Sequence, residues 1–191
     1  ILQLQKDKRK LKRLNVVGVS INTAYLGMDR ASSELDRMLT GCIYLGPVRE
    51  EPARSARLAI SSGRYSGKKG EDLAVMLHTA LRDQAFKDQF NNYLQKLHIA
   101  DSIETSESFL EINGEKKLTG YINILLGKNG QYHSLVDVGF GTSQVLPIVF
   151  ELMAQENRLI LIEQPELHLH PSAQAEIGEL LNDSIKSGNQ L

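Results

Sequence analysis

Along this chain, apolar residues recur at helical spacing in several stretches, and β-branched runs bounded by turn residues lie between them. "ASSELDRML" (31–39) puts Leu35, Met38 and Leu39 on one helix face, with Ser32 or Ser33 as the N-cap. Ahead of it, "NVVGVSINTAYLG" (15–27) mixes β-branched residues with glycines and predicts a strand. "CIYLGPVREEPAR" (42–54) predicts a short strand ending at Gly46-Pro47, then an irregular, arginine-bearing segment, and "SSGRYSGKKG" (61–70) has loop composition. From Glu71, the spacing of Leu73, Val75, Met76, Leu77 and Leu81 predicts a helix. Phe86, Phe90, Tyr93, Leu94 and Leu97 predict a second one. Residues 107–136 read as antiparallel strands, because Asn113-Gly114 and Asn129-Gly130 are strong hairpin-turn pairs. "GFGTSQ" then feeds an apolar helix reaching about Gln155, a strand covers 158–162, and a last helix starts at Pro171. Ile177, Leu180, Leu181 and Ile185 give that helix one buried face. The fold class is therefore α/β with mixed α+β character: loop–helix–strand–helix in the last third, antiparallel hairpins and helices before it.

Composition narrows this picture. With 191 residues, 41% of them hydrophobic, the chain can form one domain with a substantial core or two small lobes. No repeat or low-complexity tract is present, and apolar runs such as "LILI" and "VLPIVF" fall far short of the ~20 residues a bilayer demands. No membrane partner is expected. The single cysteine, Cys42, excludes an internal disulfide, fits a reducing, cytoplasmic location, and reads as a small buried side chain.

Charge adds one asymmetry to a net charge of −1. "KDKRKLKR" (6–13) holds six basic residues and one acid, so the remainder carries 16 basic against 22 acidic residues. Lys8, Arg9, Lys10, Lys12 and Arg13 are candidate nucleic-acid contacts in a basic arm. The competing reading is a solvated helix face whose buried side is Leu2, Leu4, Leu11 and Leu14, with no interleaved aromatics for base stacking. The organisation expected is an arm and linker over 1–41 and a lobe over 42–191.

The chemistry concentrates in "LILIEQPELHLHP" (159–171). An apolar strand flanked by helices is expected to lie centrally in a sheet covered on both faces, with ligands beyond its carboxyl end. Glu163 and Gln164 occupy that end. A carboxylate there suits hydrated Mg²⁺, which takes few protein ligands, and the next side chain can address a neighbouring water. A strand ending in a polar turn at Pro165 explains the same residues without function. The second element is "DVGFGTSQ" (137–144), a glycine-spaced loop feeding a helix, where amide N–H groups and the helix end attract anions. Gly139 and Gly141 permit close backbone approach, and Thr142 or Ser143 can cap or donate to phosphate. Only 22 positions separate Gly141 from Glu163.

With both elements in place, the chain resembles a family. "VGFGTSQVLPIV" is similar to the signature motif of ABC-class ATPases, and "LILIEQPELHLHP" to their Walker B and D-loop. The Glu-x-Pro-Glu-Leu-His-Leu-His-Pro flavour resembles the OLD-like branch (overcoming lysogenisation defect), AAA-annotated ATPases related to SMC and DNA-repair ATPases. "YLGPVREEPAR" (44–54) resembles a segment preceding the signature in some of them. The likeness spans 137–174 and, less closely, 42–75. It implies a lobe of an ABC-class P-loop ATPase fold, with the signature over 137–147 and Walker B and D-loop over 159–171. Glu163 would be the acid on Mg²⁺, and Gln164 stands where many relatives have the catalytic glutamate. Gly139, Gly141 and Thr142 would touch the γ-phosphate of ATP held by an opposing subunit. Glu166, His168 and His170 would belong to the D-loop at a subunit contact. The implied assembly is a homodimer or higher oligomer with ATP at the interface, serving DNA-related work or phage defence, with DNA or a nuclease as partner.

Three departures qualify the likeness. Gly139 stands where many signatures have serine. Pro147 removes a helical donor and is expected to bend the helix or delay its start. Gln164 cannot accept a proton as a carboxylate does, so slow turnover is expected. G-x-x-x-x-G-K-[ST] occurs nowhere; "GRYSGKKGED" (63–72) comes nearest and fails on spacing and on its last residue. Walker A is expected upstream and the switch histidine downstream, so the chain reads as an internal piece, inactive alone. Two readings from other classes stand beside this one. His168 and His170, with Glu163 and Glu166, form a possible metal site. The basic run with Arg49, Arg54 and Arg57 suits a non-catalytic nucleic-acid-binding or assembly lobe.

Overall fold

A computed structural model describes residues 21–58, 65–167 and 169–191. The chain divides into two compact units, Ile1–Gly41 and Cys42–Leu191. The basic run carrying Lys8, Arg9, Lys10, Lys12 and Arg13 lies outside the described residues, as does His168.

In the first unit the described part is one helix, α1 (Ile21–Thr40). The strand expected over 15–27 is thus corrected from Ile21 onward. From Ile21 to Gly27 only Ile21 and Thr23 are β-branched, and the rest of the segment is dominated by residues that a helix accepts, such as Ala, Leu, Met, Arg and Glu. Nor does Ser33 cap: it lies inside the helix, its hydroxyl donating back to the Asp29 carbonyl at 2.8 Å.

The second unit is a mixed α/β fold. In chain order it holds β1 (Ile43–Leu45), β2 (Ala56–Arg57), α2 (Leu73–Ala80), α3 (Gln84–Lys96), β3 (Ser102–Ile112), β4 (Glu115–Lys128), β5 (Gln131–Ser134), α4 (Phe140–Ala154), β6 (Ile160–Ile162) and α5 (Pro171–Lys186). The hairpins form as their turns require. Asn113 and Gly114 take φ of 55° and 80°, and Asn129 and Gly130 take 52° and 76°. Two successive left-handed residues make the turn whose twist matches the flanking strands. The resulting antiparallel sheet has β4 between β3 on one side and β2 and β5 on the other. Its hairpin strands begin at Ser102, five residues before the expected 107.

Helix α4 is the centre of the core. Every residue from Ser143 to Leu152 is buried, the pattern of a helix packed on all sides rather than on one stripe. Phe150 meets Phe86 edge to face at 6.2 Å, and Phe86 stacks on the buried Phe90 at 5.8 Å, which joins α3 to α4. Pro147 sits inside α4, which starts at Phe140, so the proline does not delay the helix start. The proline ring is used in packing instead. Gly70, at φ +81°, faces it so closely that an added Cβ would lie 2.7 Å from Pro147 Cγ. Buried Glu151, further along α4, accepts the Ser66 backbone N–H at 2.5 Å and the Gln155 side chain at 2.9 Å. Burial pushes its carboxyl above the usual value, a shift that those hydrogen bonds oppose. The 65–70 loop is therefore pinned to α4 at both ends.

Helix α5 starts at Pro171 as expected and buries Ala173, Ile177 and Leu180, but Ile185, expected on that face, is 54% exposed. Cys42 is half-buried rather than enclosed.

Candidate functional site

The site begins with a two-strand register. β1 and β6 run parallel, pairing Ile43 with Ile160, Tyr44 with Leu161 and Leu45 with Ile162. On β6's other edge Leu159 bridges to Gln190, so the strand is central between two neighbours. Alternation along each strand then sorts the side chains. Ile43, Leu45 and Ile160 face the core. Tyr44 and Leu161 take the other face, where Leu161 is 46% exposed. The expectation that both faces are covered is corrected: among the described residues only the core face is.

Glu163 follows the strand and stays anchored to it through its N–H on the Leu45 carbonyl at 2.9 Å. Its side chain is exposed and accepts the Tyr44 hydroxyl at Oε1, 2.5 Å away. That hydrogen bond raises the Tyr44 pKa above its usual value. Lys68 leans over the Tyr44 ring, its Nζ 5.1 Å from the centroid. The "SGKKG" segment fails as a phosphate loop in sequence, yet it packs against this strand end through Gly46 N–H to Lys68 O (3.0 Å) and Glu50 N–H to Lys69 O (2.9 Å).

Gln164 is exposed and adopts φ +48°, the left-handed region. For a residue that is neither glycine nor asparagine this costs on the order of 1 kcal/mol or more and is found where surrounding structure enforces it. Its carbonyl accepts the Leu167 N–H at 3.2 Å, and Glu166's accepts that of Leu169 at 3.2 Å. The chain thus turns tightly to reach His170. There the histidine is the N-cap of α5: its Nδ1 accepts the Ser172 N–H at 3.3 Å and lies 2.9 Å from the Ser172 hydroxyl. This is a structural task that the sequence spacing did not signal. No cluster of three or more potential metal ligands occurs among the described residues.

The glycine-bearing segment forms the first turn of α4. Gly139 is the N-cap, with no side-chain cap bond, and the Thr142 N–H reaches back to its carbonyl at 3.0 Å. Glycine brings no side chain to cover this helix start. Thr142 is half-buried. Ser143 turns inward: it is buried and its hydroxyl donates to the Phe140 carbonyl at 2.8 Å.

Arg49 joins the two elements. It is 2% exposed. Its backbone N–H donates to Gln144 Oε1 at 2.9 Å, its carbonyl accepts Gln144 Nε2 at 3.3 Å, and its Nη2 donates to the Glu163 carbonyl at 2.9 Å. Burial lowers its pKa, and the charge of Glu166 opposes that shift. This removes Arg49 from the list of nucleic-acid contacts. Arg54, exposed, forms a two-pronged pair with Asp137 at 3.0 and 3.2 Å, and Arg57 is exposed on β2.

Comparison with known proteins gives one positive result. The family model described as AAA ATPase domain matches residues 61–191. No curated protein and no solved structure matches the chain. No helix among the described residues is long and apolar enough to cross a membrane.

Proposed function

Because this chain belongs to the AAA ATPase domain family, we propose that the strand end at Glu163 and the start of α4 are two parts of an ATP- and Mg²⁺-dependent hydrolase site. ATP binding and hydrolysis is the activity class of the family. The observation that carries the proposal is the Glu163–Gln164 pair: an exposed carboxylate just past a parallel strand, followed by a residue held at φ +48°.

The residues present suit the ligands. A carboxylate oxygen is the hard donor that Mg²⁺ takes, and Tyr44 fixes the other end of that carboxylate. The uncapped start of α4 suits an anion. When bound, Mg²⁺ and ATP would supply a charge-neutralised phosphoryl group open to attack by water. Glu163 would then hold the cation and Gln164 would orient the water. Gly139, Gly141 and Thr142 would offer N–H and hydroxyl groups to phosphate, whereas the Ser143 hydroxyl is engaged within the helix. In the finer reading the protein is OLD-like and works as a dimer. Each copy presents α4 to the ATP of the other, with Glu166, His168 and His170 at their contact. A cytoplasmic setting, with DNA-related or defence output through DNA or a nuclease, belongs to the same proposal.

The alternative, a nucleic-acid-binding lobe without catalysis, loses support from the enclosure of Arg49 and the pairing of Arg54. Phosphate release by the full-length protein decides between them. Turnover of ATP that stops when Mg²⁺ is chelated is expected. Salt-dependent DNA binding in a protein that neither binds nor turns over ATP would overturn the proposal.

A further inference from the structure

We propose that Arg49 is a positioning residue that sets the peptide plane between Glu163 and Gln164 according to the placement of α4. Two independent sets of hydrogen bonds meet on this residue. Its backbone is gripped on both polar atoms by the Gln144 side chain, which is itself 1% exposed and lies in the first half of α4. Its guanidinium holds the Glu163 carbonyl. That carbonyl belongs to the peptide joining Glu163 to Gln164, so its direction fixes the backbone torsions on either side. On the near side the Glu163 N–H is already fixed to β1. On the far side the chain enters the left-handed Gln164. A single donor at this peptide therefore determines where the Gln164 side chain is carried.

The chemistry of the arginine points the same way. Guanidinium groups seldom lie fully buried, and an apolar side chain of similar size would fill the space at less cost in desolvation. Among the described residues Arg49 Nε has no hydrogen-bond partner at all. Simple stabilisation is thus a poor reason for an arginine here, and specifying one orientation of the strand-end peptide is a better one. Lysine cannot replace it, because a point charge lacks the planar, fixed directions of the guanidinium. Gln144 is in turn the means by which a displacement of α4 would reach the turn, through one side chain and one buried arginine. A nucleotide contacting the start of α4 would then also act on Gln164.

The inference rests on the proposed function only for what Gln164 does; the coupling itself is a property of the fold. Two variants of the full-length protein test it, Arg49→Lys and Gln144→Met. The second leaves the arginine in place, so it remains informative if the first fails to fold. Without nucleotide, amide hydrogen exchange at Leu167 and Leu169, whose N–H groups close the turn, is expected to accelerate about tenfold or more. With ATP and Mg²⁺, kcat is expected to fall about tenfold while KM stays within about twofold, the pattern of a lost transition-state contact. Unchanged exchange in the turn, or acceleration spread evenly over 42–191, would overturn the coupling. Faster exchange with unchanged kcat would overturn the positioning role. If the wild-type protein shows no turnover but the exchange responds as expected, the coupling stands and the ATPase reading falls.

Discussion

Glu163→Gln in the full-length protein is expected to lower Mg²⁺-dependent phosphate release by about 10²–10³-fold, the range seen when one preorganised electrostatic group is removed. The loss is expected in kcat and to persist at saturating ATP. Three features make the substitution informative. The side chain is exposed, so the amide is not trapped in the core. An amide oxygen can still accept the Tyr44 hydroxyl that now reaches Oε1. The backbone bonds to Leu45 and Arg49 involve the Glu163 N–H and C=O and are untouched. Thermal stability should therefore change by no more than about 0.5 kcal/mol, as for ordinary surface substitutions, while the cation loses its anionic ligand. Activity within about twofold of wild type would remove Glu163 from the metal. A large fall in melting temperature would reassign it to folding.

Gln164→Glu is expected to act in the opposite direction. A positioned general base is worth about 10²–10⁴-fold, and a glutamine that already orients water has captured part of that. A rise in kcat of roughly tenfold or more is the expected outcome. Backbone geometry does not confound it, because glutamate and glutamine share the same aversion to φ +48°. A new limb in the pH–rate profile, with activity falling as the carboxylate protonates, should accompany the gain. No change in kcat, or a loss, would count against Gln164 as the residue facing the attacking water.

Much of the fold was legible because some residues permit few conformations. Asn113-Gly114 and Asn129-Gly130 tolerate successive positive φ, so the hairpins were fixed locally. Pro171 marked the first turn of α5 for the same kind of reason. Where several conformations compete, composition misled. The strand read over 15–27 gives way to helix from Ile21, where only Ile21 and Thr23 of that stretch are β-branched; residues 15–20 lie outside the described residues. The carboxylate–glutamine pair was visible from the sequence because an apolar strand announces its own end. Its supports were not. Gln144 and Glu163 lie 95 and 114 positions from Arg49, and Tyr44 lies 119 from Glu163. An arginine or tyrosine in such a segment reads as solvated until the parallel pairing of β1 with β6 is known. The chain family, AAA ATPase domain, was likewise within reach of the motifs, whereas the burial of Ser143 depended on where α4 begins.

Whether α4 of one copy completes the site built on Glu163 of another, as proposed, can be read from a mixture of two inactive full-length variants. Glu163→Gln removes the cation ligand, and Gly141→Asp places a carboxylate where phosphate is proposed to sit. In a mixed dimer one site combines the intact Glu163 of one copy with the intact α4 start of the other. Mixing is expected to restore Mg²⁺-dependent ATP hydrolysis well above either variant alone. Activity that stays at the level of the separate variants, although mixed dimers have formed, would contradict it.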